Sequence, residues 1–125
     1  MKENNIQEVI YKYDSFSDVL GIKVNHEFQY GETVEMDDGI LLDFDLNNVP
    51  VSLEVSDASK RFNLPKKSFD DIVFFKMDVC VEEKSISLNA VFCVLVDNIE
   101  STQNMESFAS NINHIPNMVV KLALV

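Results

Sequence analysis

Tryptophan is absent from this 125-residue chain, and cysteine, glycine and proline occur only two, three and three times. With no tryptophan and three tyrosines there is little to stack against a sugar ring, so acidic pairs such as Asp37-Asp38 and Asp70-Asp71 are read as turns or element entrances, not as a glycosidase pair. Cys80 and Cys93 are separated by twelve residues and lie far from either histidine. That matches no zinc or redox spacing, and both are read as reduced thiols. Gly21, Gly31 and Gly39 form no phosphate-cradling loop, and no Gly-x-Ser-x-Gly elbow occurs. The scarcity of glycine and proline also leaves no linker, so residues 1–125 are read as one domain.

Positive charge is scarce as well: ten basic residues face 21 acidic ones, for a net charge of −11. Such a field repels phosphates at long range, which excludes nucleic acid as the expected partner. No run approaches the roughly 18 apolar residues of a membrane-spanning helix, and Met1 to Glu8 is polar, unlike a signal peptide. A cytoplasmic protein without a membrane partner is expected. His26 and His114 are the only neutral-pH bases, and both occupy polar or loop-like stretches where surface histidines are ordinary. No cofactor is expected, and the balance of these features leans away from an enzyme.

What is present is an apolar share of 46%, too high for a disordered chain and sufficient for one core. Val9 to Tyr13 and Val19 to Val24 form a first hairpin across Asp14 to Ser17. A second turns at Asn47-Asn48, which pairs Phe44 with Val51, Leu42 with Leu53 and Ile40 with Val55. A third turns at Glu83-Lys84, aligning Val81 with Ile86, Val79 with Leu88, Met77 with Ala90, Phe75 with Phe92 and Val73 with Val94. This register puts Cys80 opposite Ser87 and Cys93 opposite Phe74, which keeps the sulfurs apart. Ser56 or Asp57 is positioned to cap a short helix through Phe62. Met105, Phe108, Ala109 and Ile112 have helical spacing and predict a second helix, followed by a terminal strand from Met118 to Val125. The expected fold class is α+β, mainly antiparallel sheet with one or two short helices.

Tyr13-Asp14, Asp18-Val19-Leu20 with Ile22, Asp38-Gly39-Ile40, Asp43-Phe44-Asp45, Leu53-Glu54-Val55 and Asp57-Ala58-Ser59 occur in a characteristic order and spacing. In this respect the stretch from about Tyr11 to Arg61 resembles a widespread prokaryotic domain family of unknown function. The chain departs from its pattern at Gly21, where a bulky residue such as tyrosine is preferred, and at Ser52, where glycine is usual. The resemblance implies a small β-meander followed by a short helix and does not account for residues 62–125, which are read as a C-terminal extension packing on it. It supplies no catalytic residues, and through members encoded beside small toxin-like proteins it implies a protein partner.

Three groups of residues are candidates for a site. Asp43, Asp45, Asn47 and Glu54 fall at positions 1, 3, 5 and 12 of a calcium-loop pattern. The loop glycine is replaced by Asn48, Pro50 lies inside, and the flanks alternate as strands, so Asp43, Asp45 and Glu54 are weak metal candidates on a solvated sheet face. Lys60, Arg61, Lys66 and Lys67 gather four of the ten basic residues and offer a patch for an acidic segment or a phosphate. Val120 and Leu122 in the apolar terminal strand are candidates for a homodimer interface. The expected function is a non-catalytic acidic interaction module, an antitoxin-like neutraliser of a basic partner. The alternatives are a small ligand-binding domain or enzyme, and a structural homo-oligomer.

Overall fold

Side chains alternate in and out with the two-residue period of a strand through most of the chain's strand segments, and one curled sheet results. The computed structural model describes residues 6–124; Met1 to Asn5, at the start of the polar N-terminal stretch, and Val125, at the end of the expected terminal strand, lie outside the described residues. The strands are β1 (Ile6–Asp14), β2 (Val19–Val24), β3 (Tyr30–Asp37), β4 (Ile40–Asp45), β5 (Pro50–Val55), β6 (Ile72–Val81), β7 (Ser85–Val96), β8 (Ile99–Ser110) and β9 (Met118–Leu124). Helix α1 (Ala58–Phe62) and a 3-10 turn (Lys66–Asp70) fill the connection from β5 to β6.

The nine strands of the described residues lie in the order β3-β4-β5-β2-β1-β9-β6-β7-β8, so both halves of the chain share one sheet. All pairings are antiparallel except β1 with β9, where Ile6 lies beside Lys121 and Val9 beside Leu124. The sheet curls into a half-barrel whose edge strands meet at one end, where the Ser107 hydroxyl donates to the Met36 carbonyl at 3.0 Å. Its concave side holds one core, with Leu42, Phe44, Phe69, Met77, Leu88 and Leu122 sealed from solvent. Each such side chain contributes on the order of 1.5–3 kcal/mol of burial free energy.

The expected hairpins form with local adjustments. Ile40 faces Val55 and Leu42 faces Leu53, but a bulge after Asp43 brings Phe44 opposite Pro50 and not Val51. In the third hairpin the register from Val81–Ile86 to Phe75–Phe92 is as expected, and an irregularity then places Ile72, not Val73, opposite Val94. Cys80 faces Ser87 and Cys93 faces Phe74, and both thiols are free.

The α+β expectation is corrected: the fold is essentially all-β. The helix expected around Met105 to Ile112 is instead the second half of β8, a strand that makes twelve continuous pairs against β7, and the loop after it. Phe108 and Ile112, 66% and 77% exposed, do not share a buried face with Met105, so the helical spacing had no core to face. A strand there also satisfies the outer backbone groups of β7, which a helix would leave unpaired. β3 is an element the apolar pattern did not mark, because Val34 and Met36 are its only aliphatic side chains.

Candidate functional site

Residues scattered through the family-like pattern meet at the end of the sheet beneath α1. Asp18, only 5% exposed, adopts a left-handed backbone conformation that turns its carboxylate inward. Tyr13 Oη donates to Asp18 Oδ1 at 2.6 Å, the Ser59 amide to Oδ1 at 3.0 Å, and the Ser59 hydroxyl to Oδ2 at 2.7 Å. Asp57 occupies the N-cap position of α1 as expected, but its side chain makes no cap bond; the Ala58 amide goes instead to the Asp18 carbonyl at 3.0 Å, and Asp18, 41 positions before Ser59, supplies the side-chain cap. The Tyr13 ring stacks on Phe69 at 4.9 Å between centroids, which ties this lock to the core.

Burial alone pushes the Asp18 carboxyl up, but the hydrogen bonds from Tyr13 and Ser59, with the Lys66 cation, outweigh it and hold the group below the usual aspartate range. Burial and the Asp18 carboxylate drive the Tyr13 phenol well above the ordinary tyrosine value. A carboxylate so fully engaged is a poor base, and a phenol so held is a poor acid. The lock ties the β1–β2 turn to the start of α1 and, through Tyr13, to the core.

The basic cluster is divided. Arg61 donates to the Asp38 carbonyl in the β3–β4 turn, and Lys66 donates to the Ser15 carbonyl in the β1–β2 turn at 3.0 Å. Lys60 and Lys67 are exposed. The weak metal candidates do not converge. Asp43 Oδ1 accepts the Thr33 hydroxyl at 2.6 Å, Asp45 Oδ1 accepts the Asn47 and Val49 amides of its own turn at 2.8 and 2.9 Å, and Glu54 lies on the outer face opposite Leu41 and Gly21. Among the described residues no three His, Cys, Asp or Glu side chains gather as a metal site. Val120 and Leu122 point into the half-barrel and pack the core, so they are not available to a second subunit.

The histidines stand apart from one another in the fold. His26 contacts the Glu27 carbonyl and Gln7 Oε1 from its two ring nitrogens at 2.9 and 3.1 Å, and His114 lies exposed in the β8–β9 loop. That loop is pinned by Asn111, a residue the sequence did not single out. Its side chain donates to the Glu82 and Ile115 carbonyls at 2.9 and 2.8 Å and accepts the Ile115 amide at 2.9 Å.

The remaining feature is the sheet boundary. Between β3 and the end of β8 lies a groove of about 360 Å³ lined by Thr33, Val34, Glu35, Ala109 and Asn111 to Asn113. β8 pairs with β7 along one side from Ile99 to Ser110 without a register shift, and no strand pairs with its other side among the described residues. Edge strands of this kind present rows of backbone donors and acceptors.

Fold and surface together define an all-β, single-sheet protein with a buried polar lock and an edge strand, β8, whose outer side pairs with no strand among the described residues. Residues 10–59 match the model of a protein family of unknown function, DUF2283, in agreement with the resemblance read from Tyr11 to Arg61. The chain is also similar to a Methanosarcina mazei protein that carries the name "Putative hypoxanthine phosphoribosyltransferase", with 27% identity over 85% of each chain. No solved structure matches it. No helix among the described residues is long and apolar enough to cross a membrane.

Proposed function

We propose that the protein is a non-catalytic acidic interaction module that binds and masks a basic protein partner, as an antitoxin-like neutraliser does. The observation that carries this reading is uncompensated charge. Against a net −11, the one ion pair among the described residues is Lys121 with Asp78 at 3.3 Å, while Arg61 and Lys66 bind backbone carbonyls. The negative field therefore reaches solvent and steers cationic surfaces toward the protein. The free thiols of Cys80 and Cys93 fit a reducing compartment, and we assign the module to the cytoplasm.

The name of the Methanosarcina mazei relative raises phosphoribosyl transfer as a second reading. That chemistry needs a cradle for a pyrophosphate, usually a glycine-rich loop or a helix N-terminus. Here the N-terminal amides of α1 are taken by Asp18, itself an anion. Gly31 is packed against the Asp45 backbone and Gly39 serves a turn with φ +81°. The geometry favours the interaction module.

The test is affinity capture of the tagged full-length chain from its native extract at low and high salt, followed by rebinding of the purified partner. A basic protein that rebinds at one to one, with affinity falling about tenfold or more from low to physiological salt, supports the reading. Recovery of the chain alone at both salts overturns it.

A further inference from the structure

We propose that the open edge of β8 is the docking site, and that its occupant is an extended cationic segment of the partner which joins the sheet as a tenth strand. This rests on the reading of the protein as an acidic interaction module and names the surface that module uses.

The two edges of the sheet differ. β3 is short and irregular: its register against β4 shifts twice, between Tyr30 and Glu32 and between Glu35 and Asp37, and Gly31 lies against the Asp45 backbone where no side chain fits. Bulges and irregularity are devices that discourage a further strand. β8 has none of these protections. Its twelve residues contain no proline, no lysine and no arginine, and they pair with β7 in unbroken register from Val96–Ile99 to Ser85–Ser110.

Much of that edge is left uncovered by the described residues. β3 reaches β8 at Met36 and Ser107, and farther along Glu32 meets Asn113, so the contact runs from Ser107 into the following loop. β3 ends at Asp37, one residue past Met36, whereas β8 continues back to Ile99. Along that uncovered half Ile99 is 71% exposed, and Glu100, Thr102, Asn104 and Glu106 are exposed on the convex face. An antiparallel strand leaves the N–H and C=O of every second residue pointing away from its partner, which gives the incoming segment a ladder to bond.

Charge selects the occupant. Glu100 and Glu106 are the only charged residues of β8. A second copy of the chain would bring another −11, and its β8 paired antiparallel about Gln103 would set Glu100 against Glu106 twice. Like charges directly opposed destabilise such a pair. A segment alternating lysine or arginine with apolar residues instead meets both carboxylates with its cations and turns its apolar side toward Met105 and the core. Backbone bonds supply the affinity and the two glutamates the preference for basic segments.

The probe is a fluorescent ten-residue peptide alternating lysine with valine, compared with a copy of equal charge methylated on alternate backbone nitrogens. Binding to the full chain is measured by anisotropy at low and physiological salt, with amide hydrogen exchange as the structural readout. The expected result is salt-dependent binding that protects β8 amides, is lost for the methylated copy, and weakens about tenfold or more in E100K/E106K. D43K/E54K, which makes the same charge change on β4 and β5, is expected to bind within about twofold of the unaltered chain, so general charge loss is controlled. Equal binding of both peptides, or equal weakening by both variants, overturns the edge site but leaves a diffuse acidic interaction module standing. No binding of the lysine-valine peptide overturns the edge site, whereas the fate of the module itself is decided by the capture experiment. A dimer whose β8 amides are protected without peptide makes a second copy the occupant and overturns the proposal.

Discussion

Removing a buried carboxylate takes the acceptor away from every donor that points at it, and Asp18 serves three. The Ser59 amide, the Ser59 hydroxyl and the Tyr13 phenol all donate to it, and α1 has no side-chain cap of its own. Asp18→Ala is therefore expected to cost about 2–4 kcal/mol in urea unfolding at neutral pH, the cost of several orphaned donors and a lost cap. Phe69→Leu, in contact with the same Tyr13 ring, serves as a comparison that keeps the hydrogen bonds intact. The same group predicts a pH dependence. Its folded carboxyl lies below the unfolded value of about 3.9, so its stabilisation is complete well above pH 4 and disappears as pH falls through the folded value. The stability gap between the unaltered chain and Asp18→Asn should be flat from about pH 6 to 8 and close below about pH 4. A gap that persists undiminished to pH 2 would place the effect in shape and not in charge. Gly21 predicts the opposite sign. The nearest atom to an added Cβ is the Lys12 carbonyl at 3.7 Å, and its φ is not in the left-handed region, so nothing requires glycine there. Gly21→Thr should raise the unfolding midpoint, corresponding to about 0.5–1 kcal/mol from reduced chain entropy and better strand propensity. An unchanged or lower midpoint would reveal a steric need at Gly21.

At the scale of elements, β9 lies between β1 and β6, and the parallel pairing with β1 joins the first and last parts of the chain. Leu122 is sealed in the core, while Val119 on the same strand is 62% exposed on the other face. Leu122→Lys should thus lose more than about 4 kcal/mol and unfold the protein, whereas Val119→Lys should change stability by less than about 0.5 kcal/mol. Circular dichroism and thermal melts of the pair separate this core role from the dimer interface that the apolar sequence of the strand suggested; a folded, monomeric Leu122→Lys would contradict the core assignment. The hairpins were readable because each pairs aliphatic residues at every second position around a polar turn. β3 was not, since Val34 and Met36 alone give too short an alternation. β8 carries a strand signal that the helical spacing masks: Asp97-Asn98, both at positive φ, is the two-residue hairpin turn that flanking strands demand. Four apolar residues at helical spacing point the other way, yet Phe108 faces solvent from a strand paired with β7 and Ile112 from the loop beyond it. The site was legible to a similar degree. The pattern Tyr13, Asp18 and Ser59 could be seen in the sequence, but the convergence of these residues depends on an α1 cap supplied from a different hairpin.

For the whole molecule, one cause has two consequences of opposite sign. A net −11 with one ion pair among the described residues makes the folded chain repel itself, since folding brings carboxylates closer than they stand in the expanded chain. The same charge attracts a cationic partner. Sodium chloride screens both over a Debye length that shrinks to about 8 Å at physiological ionic strength. Raising salt from about 20 to 300 mM should therefore raise the melting temperature of the free protein by a few degrees, equivalent to roughly 1 kcal/mol, while weakening its complex with a basic partner. The buried Asp18 lock is largely insensitive to screening, so Asp18→Asn should show the same salt slope as the unaltered chain. E100K/E106K adds four units of positive charge and should flatten that slope together with its affinity for the lysine-valine peptide. A melting temperature that stays level or falls with salt would mean that the acidic surface is already compensated within the fold, and the charge would then no longer argue for a basic partner.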